Sequence, residues 1–156
     1  MGISEEVFKF LKKIAKNNNK EWFLEHKSTF EDRHKEFKGF LTLVNAELIK
    51  TDEIESYRAY RIYRDVRFSK DKTPYKSHFS GFYKRGSAEK RGGYFVHIQP
   101  GNSYVGGGFY GPNKEDLLRI RQEFSEDPQG IREVLGNNEF KKTFGALRGE
   151  EVKTAP

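Results

Sequence analysis

The first fifty residues carry apolar side chains at helical spacing. Val7, Leu11, Ile14 and Ala15 fall on one face of a segment that opens after Ser4, a residue type that caps helices. Three asparagines at 17–19 then interrupt the pattern, and apolar residues resume at seven-residue intervals: Phe23, Phe30, Phe37 and Val44. We therefore predict two helices, of which the second begins after Asn19 and runs to about Lys50.

After Thr51 the spacing changes from a helical period to a period near two. This alternation predicts a first strand over residues 56–68, in which Ile62, Val66 and Phe68 share a face with Arg64. A turn over residues 69–74 and a basic hairpin tip over residues 85–93 follow. Three further strands are predicted over residues 77–84, 94–99 and 103–110.

The last third of the chain returns to helical spacing. Asn113 is placed to cap a helix, and shorter helices are predicted around residues 128–135 and 138–144. Helices, an antiparallel meander and further helices follow one another along the chain. This order predicts a single α+β domain over residues 1–156, with about four antiparallel strands and the N-terminal and C-terminal helices packed on one face.

The net charge of +6 is concentrated in one segment. Residues 58–91 hold eleven Lys and Arg against three acids, whereas the other segments together are slightly acidic. A basic stripe on an otherwise balanced domain indicates an anionic partner, which can be a phosphate, a nucleic acid or a carboxylate substrate. The alternative is a pair of solvated loops without a ligand.

Composition excludes several classes of protein. The chain has no cysteine, which rules out disulfides, thiolate metal sites and cysteine nucleophiles. No apolar run approaches the length that spans a membrane, and the N-terminal residues lack the pattern of a signal peptide. We expect a cytoplasmic protein with no membrane partner, and the sequence does not predict its oligomeric state.

Candidate binding residues cluster in the basic loop. Arginine forks bind phosphate or carboxylate in a bidentate manner, and lysines add point charge. We predict that the ligand is bound by Arg64, Arg67, Lys70, Lys72 and Lys76, and that Asp65 and His78 orient it or perform acid–base chemistry. In the competing structural interpretation, Asp65 and Asp71 pair with neighbouring cations and pin the loop, with Arg61 and Arg67 flanking Asp65 in an ion-pair ladder.

Three other patterns carry weaker signals. His78, His97 and Asp65 are types that bind metals, but no paired histidine motif is present, so we predict no metal and no cofactor. Residues 106–111 fit G-x-G-x-x-G without the parallel βαβ unit that dinucleotide binding requires, so the glycines are expected to admit a closely packed helix or ligand. Residues 91–98 resemble an RNA-recognition strand only in part, because one stacking aromatic is missing.

Three segments carry a family resemblance. They are residues 18–23 (Asn-Asn-Lys-Glu-Trp-Phe), residues 64–76, and residues 107–112 before a Leu-x-x-Ile-Arg helix. In these segments the chain resembles the domain-of-unknown-function family numbered 2461. The resemblance spans nearly the whole chain, implies further residues beyond position 156, and carries over no activity. From the charge of the basic loop we expect a protein that binds a phosphate- or carboxylate-bearing small-molecule ligand there, and the sequence leaves open whether it is also an enzyme. The alternative is a non-enzymatic nucleic-acid-binding or protein-interaction module.

Overall fold

The computed structural model describes residues 2–86 and 90–146, and within them the chain forms six helices and one four-stranded antiparallel sheet. The predicted α+β class is confirmed. The chain divides into two compact units, Met1–Phe109 and Tyr110–Pro156, which are described separately. The single domain stays a prediction, and part of the predicted hairpin tip at residues 85–93 lies outside the described residues.

Three helices open the first unit: α1 (Glu5–Lys16), α2 (Lys20–Glu25) and α3 (Lys27–Leu48). The Asn19 side chain caps α2 by accepting a hydrogen bond from the Trp22 N–H at 2.9 Å. The prediction of one continuous second helix was wrong, because the chain leaves helical geometry at His26, where φ is −107° and ψ is 15°. Ser4 precedes α1 as predicted, but its N–H donates to the Glu36 carboxylate at 2.7 Å and its side chain makes no cap bond.

The sheet is an antiparallel meander in the order β1 (Ile54–Ala59), β2 (Phe79–Arg85), β3 (Gly93–Ile98) and β4 (Tyr104–Gly108). The predicted first strand was too long, since β1 ends at Ala59 and residues 60–78 form a loop. The glycines of β4 were predicted to admit a closely packed helix or ligand, and no closely packed helix is found at Gly106 or Gly108 among the described residues. A Cβ built at either would meet no heavy atom within 4 Å among the described residues. The approach of a ligand there stays a prediction.

The core of the first unit lies between the sheet and the helices. The Phe79 ring on β2 is surrounded by three helical rings, with centroids 5.4–6.4 Å away: Phe10, Phe30 and Phe37. Tyr83 lies four residues after Phe79 on β2 and therefore on the same face. It is fully buried, and its hydroxyl donates to the Leu41 carbonyl of α3 at 3.0 Å. The helices α1 and α3 therefore pack on the β2 face that carries Phe79 and Tyr83.

Part of the basic stripe is neutralised inside this fold. The Asp52 carboxylate, between α3 and β1, accepts hydrogen bonds from Arg85 Nε at 2.6 Å and from the Tyr94 hydroxyl at 2.8 Å. These bonds, the one from Arg85 first, hold the pKa of Asp52 far below its usual range. Lys84 pairs with Glu55 at 2.8 Å. Lys84 and Arg85 of β2 are thus neutralised by carboxylates within the fold.

The described residues 110–146 of the second unit form three helices: α4 (Lys114–Glu126), α5 (Gln129–Gly136) and α6 (Asn138–Phe144). The predicted Asn113 cap is confirmed, since its side chain accepts a hydrogen bond from the Asp116 N–H at 2.8 Å. Asn137 caps α6 in the same way through the Phe140 N–H at 3.0 Å. Across residues 2–86 and 90–146, no helix combines the length and apolar character needed to cross a membrane.

Candidate anion-binding site

The loop of residues 60–78 folds back on itself instead of extending the sheet. The Lys76 N–H donates to the Ile62 carbonyl at 2.8 Å, and the Arg64 N–H donates to the Pro74 carbonyl at 2.9 Å. Tyr63 and Tyr75 form an antiparallel bridge between the two arms. The predicted common face also fails, because Ile62 is buried whereas Phe68 is 96% exposed.

Two contacts anchor this loop to the helices. The Tyr75 ring stacks on Phe23 of α2 with centroids 4.0 Å apart. The Asn18 side chain pairs with the backbone of Tyr75, donating from Nδ2 to the carbonyl at 2.8 Å and accepting the N–H on Oδ1 at 3.0 Å. Asn18 thus acts like a strand partner for the residue next to Lys76. Sequence reasoning assigned it only a helix-ending role.

A shallow cavity of about 480 Å³ lies between the end of α1 and the second arm of the loop. Of the predicted site residues, the structure brings Arg64, Lys76 and His78 together in its wall. Asp65, Arg67, Lys70 and Lys72 are not part of that wall. The residues lining the cavity are Ala15, Asn18, Arg64, Asp71, Thr73, Tyr75, Lys76, Ser77 and His78.

Arg67 and Asp65 form a closed pair outside the cavity. Arg67 donates from Nε and Nη2 to the two carboxylate oxygens of Asp65, at 2.9 and 2.6 Å. The Arg67 guanidinium holds the pKa of Asp65 below its usual value, which makes this carboxylate a weak base. This part of the predicted ladder is confirmed. Arg61, in contrast, makes no ion pair with Asp65 among the described residues.

Arg64 divides its guanidinium between the loop and the cavity. Its Nη1 donates to the Asp71 carboxylate and to the Thr73 hydroxyl, which pins the loop as predicted. The bond from Arg64 lowers the pKa of Asp71 to about 2. Within residues 2–86 and 90–146, the Nε and Nη2 of Arg64 have no protein partner, so the side-on fork that Arg67 uses on Asp65 stays open on Arg64.

Lys76 is a half-buried cation without a counter-charge. No carboxylate among the residues that the structure describes lies within 4 Å of its ammonium group, which sits 5.6 Å from the centre of the Tyr60 ring. Burial lowers the pKa of Lys76, and the positive charge of Arg61 lowers it further. A buried ammonium is unfavourable unless it is paired, so this position favours an anion.

His78 forms the polar wall beside these cations. Burial, and after it the neighbouring His97, Lys76 and Arg64, together lower the pKa of His78 to about 4. Its ring lies 4.2 Å from the ring of His97, whose Nε2 is 2.9 Å from the Gln99 side-chain oxygen. The His78 imidazole is therefore neutral at pH 7, and it can donate a hydrogen bond from one nitrogen while accepting on the other.

A family model described as Conserved hypothetical protein (DUF2461) matches residues 6–156. The chain belongs to the DUF2461 family. Two of the resembling segments, residues 18–23 and 64–76, meet at the cavity through Asn18 and Tyr75. No curated protein and no solved structure matches the chain.

A metal site built from His78, His97 and Asp65 of this DUF2461 chain would require their side chains to converge on one ion. No group of three or more His, Asp or Glu side chains positioned to hold a metal ion occurs in the described part of the chain. Asp65 is engaged by Arg67, and His97 Nε2 faces Gln99. The cavity wall holds one carboxylate, Asp71, which is already engaged by Arg64, beside the cation Lys76 and the neutral imidazole of His78, a set that favours an anion over a metal cation.

The depressed pKa of His78 makes the stability of this DUF2461 protein depend on pH. Between pH 6.5 and about 4 the unfolded chain binds a proton on His78 that the folded chain does not, so the free energy of unfolding should fall as pH falls. Urea unfolding at pH 7 and at pH 4.5 measures how much free energy of unfolding is lost between the two pH values. This loss should be smaller by roughly 1–3 kcal/mol in His78→Asn than in the unaltered protein. Identical losses would contradict the burial of a neutral His78.

Proposed function

We propose that the protein binds a phosphate- or carboxylate-bearing small molecule in the cavity lined by Arg64, Lys76, Ser77 and His78. The observation that carries the proposal is the half-buried Lys76 ammonium, which has no carboxylate partner in the described part of the protein. An anion beside Lys76 supplies the missing counter-charge and replaces the hydration that burial removes.

Each polar group of the cavity has a distinct role in this proposal. The open fork of Arg64 donates two parallel hydrogen bonds to two oxygens of the anion, while Asp71 keeps the guanidinium oriented. Lys76 adds a point charge that tolerates several positions of the ligand. The hydroxyl of Ser77 and the neutral ring of His78 donate further hydrogen bonds. Acid–base catalysis by His78 stays a prediction.

Inorganic phosphate is the probe for this proposal, because it carries the charge and the oxygens without any further group. Titration followed by amide chemical shifts should give an affinity that Lys76→Gln weakens by at least about fivefold, as expected for losing one charged hydrogen bond. Binding should also raise the pKa of His78 from about 4, since a nearby anion favours the imidazolium.

Lys70→Gln is the matched control for Lys76→Gln. Lys70 belongs to the same loop and carries the same charge, but it is exposed and does not line the cavity. We expect its phosphate affinity to stay within about twofold of the unaltered protein, because exposed charges are screened by salt. Equal losses in the two variants, or no phosphate binding to the unaltered protein, would overturn the proposal.

A further inference from the structure

One face of the sheet is left uncovered by the helices of its own unit. Side chains alternate along each strand, and Tyr57, Tyr83 and Tyr94 lie side by side in the register on the face that meets α1 and α3. The residues next to them, including Arg58 and Phe95, therefore belong to the opposite face. This outer face is part of the unit Met1–Phe109.

The outer face carries a continuous aromatic row. We define the row as Tyr60, Phe95, Tyr104 and His97. Its ring centroids are 6.3 Å apart from Tyr60 to Phe95 and 5.8 Å apart from Phe95 to Tyr104. Tyr104 stacks on His97 at 4.7 Å with an angle of 14° between the planes. Tyr104 is 50% exposed, which leaves ring surface available for a further planar group.

Both ends of the aromatic row meet the anion-binding cavity. At one end the Lys76 ammonium lies 5.6 Å from the centre of the Tyr60 ring. At the other end His97 contacts His78, with ring centroids 4.2 Å apart. Lys76 and His78 both line the cavity. A ligand that fills the cavity with an anionic group therefore has aromatic surface beside it.

The charge beside the row is positive. The Arg58 guanidinium lies 5.3 Å from the centre of the Tyr60 ring and forms no salt bridge within residues 2–86 and 90–146. Lys84 on the same face is already neutralised by Glu55. Rings combined with unneutralised cations favour a partner that has both planar apolar groups and negative charge.

We propose that the outer face binds single-stranded nucleic acid, with bases stacked on the aromatic row and a phosphate held by Arg64 and Lys76. This inference rests on the proposed function and names the source of its phosphate. Unpaired bases expose the ring faces that stack on aromatic side chains, whereas a duplex hides them. His97 is only 7% exposed and lies behind Tyr104. The ring surface open to bases is therefore that of Tyr104 and of the partly exposed Tyr60 and Phe95. A strand can contact these rings at once, which a free nucleotide cannot.

Binding of a labelled twelve-nucleotide single strand of mixed sequence, measured by fluorescence anisotropy, tests the inference. Tyr104→Ala should weaken binding about tenfold through the loss of one stacking platform, and Tyr104→Phe should restore it to within about twofold. The affinity should also fall with salt, with a log–log slope of about −1.4 for two neutralised phosphates, one held by Arg64 and Lys76 and the other by Arg58.

Tyr110→Ala is the control, since Tyr110 is 98% exposed and makes no ring contact in the described part of the chain. It should bind within about twofold of the unaltered protein, and circular dichroism should show that all variants are folded. Equal losses in Tyr104→Ala and Tyr110→Ala would overturn the inference. So would a duplex of the same sequence, or a single nucleoside monophosphate, that binds as tightly as the strand.

The two proposals fail in distinguishable ways. If the strand does not bind while phosphate binding still depends on Lys76, the nucleic-acid inference fails and the anion site stands. If phosphate binding is indifferent to Lys76, the proposed function fails, and the inference that rests on it fails too.

Discussion

Gly93→Ala is expected to destabilise the protein by more than about 3 kcal/mol, beyond the usual cost of overpacking a core. A Cβ at Gly93 would lie 2.0 Å from the Tyr83 carbonyl oxygen and 2.7 Å from the Phe82 ring. The ring can rotate, but the carbonyl is part of the backbone of β2. Relief of the clash must therefore separate β2 from β3 at the centre of the meander.

Gly106→Ala provides the matched control for this substitution. Gly106 lies on the neighbouring strand β4, and a Cβ there would meet no heavy atom within 4 Å among the described residues. We expect its free energy of unfolding to stay within about 0.5 kcal/mol of the unaltered protein. Urea unfolding followed by Trp22 fluorescence measures both variants. A similar cost at the two positions would show that the close contact at Gly93 is not what limits substitution.

Phe23→Ala is expected to lower the free energy of unfolding by about 3–5 kcal/mol, as large-to-small substitutions of buried rings do. Phe23 is 1% exposed, stacks on Tyr75 at 4.0 Å and meets the edge of Tyr63 at 5.9 Å. It therefore supports both arms of the basic loop from below. Phosphate affinity should also fall in the folded fraction, because Tyr75 positions its neighbour Lys76.

Leu24→Ala isolates the effect of burial in the same helix. Leu24 follows Phe23 directly but is 58% exposed, so its truncation should cost less than about 1 kcal/mol and leave phosphate binding unchanged. Chemical denaturation and the phosphate titration, both carried out at low temperature, report the two quantities. If Phe23→Ala loses the predicted stability but its folded fraction binds phosphate as tightly as the unaltered protein, the conformation of the loop does not depend on the Phe23–Tyr75 stack.

The helices and the meander could be predicted because their signals are local. Asn19 and Asn113 cap the helices that follow them, as their positions indicated. The first strand was predicted too long because residues 60–68 keep the alternation of a strand. These residues pair instead with the second arm of the loop, where the Arg64 N–H donates to the Pro74 carbonyl and the Lys76 N–H donates to the Ile62 carbonyl. Alternation alone does not distinguish these two kinds of pairing.

The sequence pointed to the basic loop as the candidate site, but it could not predict which residues of that loop line the cavity. Charge placed it in the basic loop, yet Arg64 and Arg67 were equivalent on that evidence. Their difference depends on which carboxylate each one meets: Arg67 closes its fork on Asp65, two positions away, while Arg64 reaches Asp71 with Nη1 only. The pairing of Asn18 with the loop could not be predicted, because its partner Tyr75 is 57 positions away.

In the proposed complex, the divided guanidinium of Arg64 would couple the order of the loop to occupancy of the cavity. An anion on Nε and Nη2 fixes the same group whose Nη1 holds Asp71 and Thr73. A ligand that binds only the folded chain stabilises it by mass action, by about 2.7 kcal/mol at one hundred times its dissociation constant. This added stability raises the melting temperature. Thermal-shift screening of phosphorylated and carboxylated metabolites therefore uses the protein itself as the reporter of its ligand.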